Sequence, residues 1–262
     1  MEMIKRFFRH ATLSYKALFG WLDPKVYLFV MVLSPISQLI FFSVLVKYVY
    51  DGKGLDGFIA SNSLLLCVMS SVFGMMSVIT SDRRMGTLQI VISSPANKTS
   101  LFIARSFAHI INGLFTALIG LIVGIILFDV TIQFEMVPYL IFVWIVSIFA
   151  ACGLGLIVAS FCLWTPSMHL ISNLLFSLLL LLSGANYPRE VMPHWMYQLS
   201  NFFPLTRGVE ATKLLVNHSD SSQVLHLMVE EFFLGCVFFL IGVLFIRYAE
   251  FLARGKGTME LD

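Results

Sequence analysis

Long apolar runs alternate with short polar breaks along this chain, and the runs dictate its architecture. Six of them reach or approach the roughly 20 helical residues that cross a hydrocarbon core: Val26 to Val46, Phe58 to Thr80, Leu101 to Phe128, Val137 to Cys162, Met168 to Leu182 and Phe232 to Tyr248. The fifth is short. A transmembrane barrel would show alternating segments of roughly ten residues instead of continuous runs. The pattern therefore predicts an all-α integral membrane protein with six transmembrane helices over residues 26–248. The first run is too long for a signal-peptide core and has no small-residue cleavage site after it, so it is expected to be a retained span.

Ahead of that run, Ile4, Phe7, Phe8, Ala11, Tyr15, Leu18 and Phe19 recur at helical spacing, while Lys5, Arg6, Arg9 and Lys16 lie largely off the stripe. This predicts an N-terminal amphipathic interface helix within residues 1–25. Trp21-Leu22-Asp23-Pro24 breaks it, because proline disfavours helix in the residue before it. Two polar breaks stand out further on. Ser81 to Ser100 is the largest one expected on the cytoplasmic side. Ser183 to Arg207 is punctuated by Pro188, Pro193 and Pro204. Pro193 stands where a short helix can begin, and a helix from His194 to Phe203 would turn Trp195, Leu199, Phe202 and Phe203 toward apolar surroundings. Together with the short fifth run, this predicts a helix that breaks at Ser183-Gly184 and continues as short re-entrant or interfacial helices within residues 183–228. Non-helical backbone at that depth must be buried in protein or line an aqueous cavity.

Composition agrees with a bilayer protein: 58% of the 262 residues are hydrophobic and 12% charged, where a soluble domain carries roughly 25% charged residues. The Lys and Arg positions set the orientation. With both termini in the cytoplasm, twelve basic residues fall inside and five outside: Lys47, Lys53, Arg189, Arg207 and Lys213. The expected location is the cell (inner or plasma) membrane, multi-pass, with residues 249–262 as a cytoplasmic tail and lipids as direct partners. No basic footprint for nucleic acid is present. Cys67, Cys152, Cys162 and Cys236 have neither CxxC spacing nor a place in an outer loop, so they read as packing residues with no metal or disulfide role.

Polar residues inside the runs invite a packing or a path reading. Pro35 can kink the first span, and Asn62, Asn112 and Asn173 should face the bundle interior, where they would hold helices together. Gly120 and Gly124 form a GxxxG pair, and Gly153 and Gly155 lie in the fourth span; such residues permit close helix approach. Chemistry is sparse. The chain has no Gly-x-x-x-x-Gly-Lys-Ser/Thr phosphate loop, no His-Glu-x-x-His and no Gly-x-Ser-x-Gly. Its six histidines lack ligand spacing. Carboxylates able to run a proton relay are nearly missing from span centres, with Glu230 and Glu231 at the outer edge of the sixth. A pump built on this chain must draw its energy from another polypeptide.

Two stretches carry a family resemblance. Asp82-Arg83-Arg84-Met85-Gly86-Thr87-Leu88, followed by Ser94-Pro95 and Arg105, resembles the Glu-Arg-x-x-Gly-Thr-Leu…Pro stretch between the second and third spans of ABC-2 type permeases, the membrane subunits of type V ABC exporters. Ser183-Gly184, Tyr187-Pro188, Met192-Pro193-His194-Trp195, Asn201-Phe202-Phe203-Pro204-Leu205-Thr206 and Glu210-Ala211-Thr212-Lys213 resemble that family's proline-rich stretch after the fifth span. Asp82, Met192 and Lys213 replace the usual Glu, Leu and Arg, and Phe202-Phe203 separates Asn201 from Pro204.

The resemblance implies a permease that is not itself an enzyme, powered by a separate cytoplasmic ABC ATPase that binds ATP and Mg. It implies a coupling segment in which Asp82, Arg83, Arg84, Gly86, Thr87, Leu88 and Pro95 meet that subunit. It also implies a dimer with a second copy or a homologue. The substrate path would use Ser34, Gln38, Phe41, Asn62, Asn173 and Phe176, with Gly184, Pro188, Pro193, Trp195 and Pro204 shaping the re-entrant region that closes it outside. The expected work is export of an amphipathic or lipid-linked molecule such as a drug, peptide, natural product or glycolipid. The alternative is an assembly or immunity component of an ABC complex with no freely diffusing substrate.

Overall fold

The computed structural model describes residues 33–52, 54–84, 86, 98–161, 168–217 and 221–256. The expected interface helix over residues 1–25, with residues 26–32, lies outside the described residues, as does the chain beyond 256. Eight α-helices are assigned among the described residues, and no strand. They are α1 (Ser34–Val49), α2 (Leu55–Arg84), α3 (Lys98–Phe128), α4 (Val137–Phe161), α5 (Met168–Leu182), α6 (His194–Ser200), α7 (Thr206–Val216) and α8 (Ser221–Lys256).

The helix ends follow local chemistry. Proline in the first turn suits the start of α1, where its missing N–H costs no helical bond. Asp51, Gly52 and Gly54 adopt positive φ and reverse the chain into α2, whose first turn holds Asp56 against the positive end of the helix dipole. That carboxylate also accepts the Thr131 hydroxyl at 3.0 Å, tying the start of α2 to the turn after α3. Gly86, at φ +67°, stands just past the end of α2, the position where a left-handed residue commonly ends a helix.

The described parts of all six apolar runs fall on helices, namely α1 to α5 and α8, with boundaries that move. α8 begins at Ser221 rather than Phe232, and α2 continues through Ser81 to Arg84. Hydropathy ends a span where charge begins. A helix continues wherever its own backbone bonds persist and its polar side chains find partners. Among the described residues, four helical stretches are long and apolar enough to cross a membrane: Leu55–Met76, Ile110–Phe128, Phe134–Phe161 and Ser222–Tyr248. The apolar helices Pro35–Val49 and Leu170–Leu182 are shorter. α2 runs on through Ser81-Asp82-Arg83-Arg84 beyond its apolar run, which ends at Thr80, and α3 starts at Lys98, three residues before Leu101.

α2 and α4 form the centre. α2 packs against α1, α3, α4, α5 and α7, and α4 packs against α2, α3, α7 and α8. Within its apolar stretch α2 is 82% buried, whereas α8 is 22% buried and presents most of its surface outward. Leu64, Leu65, Met75, Met76, Trp144, Ile148 and Leu156 fill the interior.

Small residues set the helix spacing. A Cβ at Gly113 would stand 2.4 Å from the Ser71 hydroxyl and 2.9 Å from the Cys67 carbonyl, and one at Gly124 would stand 2.3 Å from an Ile59 methyl. Ala117 and Gly120 complete this face of α3. On the other side, a Cβ at Gly235 of α8 would lie 2.9 Å from the Ala150 backbone, and Gly153 faces the Gly235 carbonyl. The glycines singled out in the sequence thus pack helices within the chain. Ser63 and Ser71 donate to carbonyls of their own helix, at 3.0 and 2.9 Å, so the close faces hold no unpaired hydroxyl there. Asn112 also carries an interhelical bond, donating to the Ser70 hydroxyl at 2.6 Å.

Gly235→Leu and Gly113→Val should each lower stability by about 1–3 kcal/mol, the usual cost of overpacking, read as a reduced thermal midpoint of the full chain in detergent. Leu240→Ala, on the exposed face of α8, should change it by no more than about 0.5 kcal/mol.

Candidate functional site

After α5 the chain does not cross again at once but folds back among the helices. Ser183 bends it, with the Ser183 hydroxyl accepting the Ala185 N–H at 3.3 Å. Gly184 follows at φ +69°, and a Cβ there would stand 2.6 Å from the Arg189 side chain. Glycine is required twice over, for the backbone angle and for the passing arginine. The Tyr187 hydroxyl donates back to the Leu181 carbonyl. Pro188 and Pro193 stand at the heads of the 3₁₀ turn Arg189–Val191 and of α6.

Arg189 organises the fold-back. Its guanidinium donates to Glu210 at 2.7 Å, to the Ser200 hydroxyl at 2.9 Å and to Asn201 Oδ1 at 2.6 Å. It also lies over the Tyr197 ring, 4.5 Å from the centroid. The 3₁₀ turn, α6 and α7 are thereby joined through one fork-shaped cation, a geometry that an ammonium cannot reproduce. Beside it, Lys213 Nζ donates to the Gly184 carbonyl at 2.6 Å and sits 4.4 Å from the centre of the Phe58 ring in the first turn of α2. Burial pushes the Lys213 ammonium down to about 8 from its ordinary 10.5, opposed by the negative charges of Glu190 and Glu210 and assisted by Arg189. Burial also raises the Tyr187 phenol. These groups line a cleft of about 330 Å³ between α2, α7 and the fold-back.

Deeper in the protein, Leu205 takes a left-handed φ of +79° directly after buried Pro204. Its N–H donates at 2.6 Å to Glu231, a fully buried carboxylate of α8. Here the side chain of another helix satisfies a backbone donor at the head of α7. Arg207 pairs with Glu230 at 2.7 Å and donates to the Asn201 carbonyl at 3.0 Å. The Thr206 hydroxyl donates to the Ser200 carbonyl at 2.8 Å. Gly208 lets α7 approach α4 closely, since a Cβ would stand 1.9 Å from the Ser147 hydroxyl.

The residues expected from sequence fall into three groups. Gly184, Pro188, Pro193 and Pro204 all shape the fold-back. Trp195 is 67% exposed, and Leu199 and Phe202 are also exposed, while Phe203 is half-buried. α6 is a single short helix that ends at Ser200 and buries Met196 and Ser200, so its aromatic face points away from the protein. Of the expected path residues, Gln38 is half-buried and Phe41 exposed on α1, while Phe176 is half-buried and Asn173 exposed on α5. Asn173 therefore does not face the bundle interior, because α5 buries its opposite side, Ser172, Leu175 and Leu179. Asn62 is buried in α2 and donates to its own helix at the Phe58 carbonyl, 3.0 Å away. The Ser34 side chain lies outside the described residues. Of the coupling residues, Asp82, Arg83 and Arg84 lie in the last turn of α2 without described side chains, and Gly86 is exposed. Thr87, Leu88 and Pro95 lie outside the described residues.

Sequence reasoning did not single out Arg189, Glu210, Lys213 and Glu231 as a site. Glu210 and Lys213 sit three apart on one helix face, a detectable pairing. Arg189 reaches partners 11, 12 and 21 residues away, so nothing local marks it.

A family model described as ABC-2 type transporter matches residues 12–215. The chain is also similar to "Probable multidrug ABC transporter permease YbhR" of Escherichia coli (strain K12), at 28% identity over 153 residues, covering 56% of this chain and 41% of that relative. The protein of the same description in Escherichia coli O157:H7 matches equally. The match spans about two fifths of the length of these relatives.

Arg189→Met should destabilise the chain by about 2 kcal/mol by stripping three acceptors of their donor, and Arg189→Lys should recover only part of it; thermal unfolding in detergent measures both. The depressed Lys213 value carries a sign. Between about pH 8 and 10.5 the unfolded chain holds a proton that the folded chain has released, so stability should rise with pH across that window, by roughly 2–3 kcal/mol. The raised Tyr187 phenol acts oppositely at the top of the range. Lys213→Met should flatten the rise in a pH series of unfolding midpoints.

Proposed function

The chain belongs to the ABC-2 type transporter family, and on that footing we propose that it is the permease subunit of an ATP-binding-cassette exporter, driven by a separate cytoplasmic ATPase that holds ATP and Mg. The observation that carries the reading is the length of α2 and α3. α2 passes the end of its apolar run by Ser81 to Arg84, and α3 begins at Lys98 ahead of Leu101, at the end where residues 85–97 join them, opposite to the Lys213 cleft beside the first turn of α2. From Thr80 to Arg84 the extension amounts to about 6 Å at 1.5 Å per residue. A rigid helix pair of this kind can transmit a push from a soluble subunit into the bundle. Rigid-body movement of packed helices is an established way to bias two arrangements.

In this reading the protein makes six crossings, with α1 and α5 as the shorter spans and both termini in the cytoplasm of an inner or plasma membrane. Asp82, Arg83 and Arg84, with Gly86, Thr87, Leu88 and Pro95, form the contact with the ATPase through charge-assisted bonds and a turn. Two permeases meet along the outward faces of α1 and α5, where Phe41 and Asn173 are exposed. The path at that interface takes Ser34, Gln38, Phe41, Asn62, Asn173 and Phe176, and the fold-back at Gly184 to Leu205 closes it as a re-entrant element. The substrate is amphipathic or lipid-linked and moves outward. Similarity to the Escherichia coli protein, a probable multidrug ABC transporter permease, supports that substrate class.

Asp82→Ala with Arg83→Ala should reduce copurification of the ATPase and coupled transport while leaving membrane insertion unchanged. Equal copurification and equal transport in the double variant would remove the coupling assignment. ATP hydrolysis by the complex in lipid should rise with an exported amphiphile; hydrolysis indifferent to every such compound would favour an assembly role.

A further inference from the structure

The cleft between the first turn of α2 and α7 carries charges that its own protein partners leave incompletely used. Arg189 spends its terminal nitrogens on Glu210, Ser200 and Asn201. Lys213 has three protons and gives one to the Gly184 carbonyl, with the Phe58 ring beside it. Among the described residues no carboxylate pairs with Lys213. Glu190, on the rim of the same cleft, is exposed and has no bonded partner among the described residues.

Two cations and two carboxylates sum to zero, so a ligand of either net charge would unbalance a half-enclosed site. A ligand carrying both signs would not. The free donor on Lys213 suits a phosphate oxygen, and the open Glu190 carboxylate suits an ammonium that still has N–H groups to donate. The cleft volume of about 330 Å³ lies in the range of small-ligand pockets. Its place beside the first turn of α2, where that helix's apolar stretch begins, is the depth of lipid headgroups.

We propose that this cleft binds a phosphoethanolamine-type zwitterion, with its phosphate on Lys213 and its primary ammonium on Glu190. The ligand is presented either by a membrane phospholipid or as a free headgroup compound. The site goes beyond the permease reading and does not depend on an ATPase.

The test uses the full chain reconstituted in phosphatidylcholine vesicles that contain equal minor fractions of phosphatidylethanolamine and phosphatidylglycerol, with retained lipid counted by native mass spectrometry. The wild type should retain phosphatidylethanolamine about fivefold above its bulk share, the scale of one partly exposed ion pair. The quaternary ammonium of phosphatidylcholine cannot donate to Glu190. Glu190→Gln should abolish the preference, and Glu190→Lys should invert it toward phosphatidylglycerol. Glu190 makes no internal hydrogen bond, so Glu190→Gln should fold as the wild type does; thermal unfolding of Glu190→Lys, which sets a third cation beside Lys213 and Arg189, checks that its fold is kept. Lys213→Gln should lose all retention. Glycerophosphoethanolamine at millimolar concentration should displace the lipid if the headgroup alone suffices, and should leave it bound if the acyl chains contribute; either result identifies the source. Wild-type retention equal to the bulk composition, or a preference that survives Glu190→Gln, would overturn the proposal.

Discussion

The close approach of α2 to α3 and α4 is the constraint on which the rest of the structure depends. In a bilayer, apolar surface gains little by leaving lipid for protein, so helices associate through dispersion contacts and a few interhelical hydrogen bonds. Those contacts require short distances. Gly113, Ala117, Gly120 and Gly124 on α3, and Gly155 on α4, bring neighbouring backbones against α2 where larger side chains would hold them apart. α2 is thereby surrounded over Leu55–Met76.

The second constraint is polar satisfaction. The fold-back after α5 brings irregular backbone into an apolar protein, where each unmet N–H or carbonyl costs several kcal/mol. The chain meets this with side chains drawn from distant elements. Glu231 of α8 takes the Leu205 N–H, Lys213 of α7 serves the Gly184 carbonyl, and Arg207 serves the Asn201 carbonyl. Lys213 both satisfies the backbone and lends charge to the cleft, so at that residue the structural role and the binding chemistry share one group.

These two constraints meet on α2. Its first turn supports Lys213 through Phe58, and its last turn enters the segment assigned above to coupling. Between them, the stretch Leu55–Met76 is mostly buried. A buried, continuously hydrogen-bonded rod of this kind is well suited to link events at its two ends, because close-packed interiors deform little and transmit strain.

The sequence by itself determined the helical class, the location of all six apolar helices and the breaks at Gly184, Pro188, Pro193 and Pro204. Each of these is a local property: run length, the missing Cβ of glycine and the missing N–H of proline act within a few residues of where they stand. Only the tertiary structure decided that α8 starts at Ser221, because the polar turns ahead of Phe232 are held by α7 and by Glu231. It alone showed that Asn173 and Trp195 face outward, since each lies on the side of its helix opposite the buried residues. It alone assembled Arg189 with Ser200, Asn201 and Glu210, and Lys213 with Gly184 and Phe58. Those partners are far apart in sequence, and no periodicity or composition links them; their pairing follows from how α7 and the fold-back settle between α2, α4 and α8.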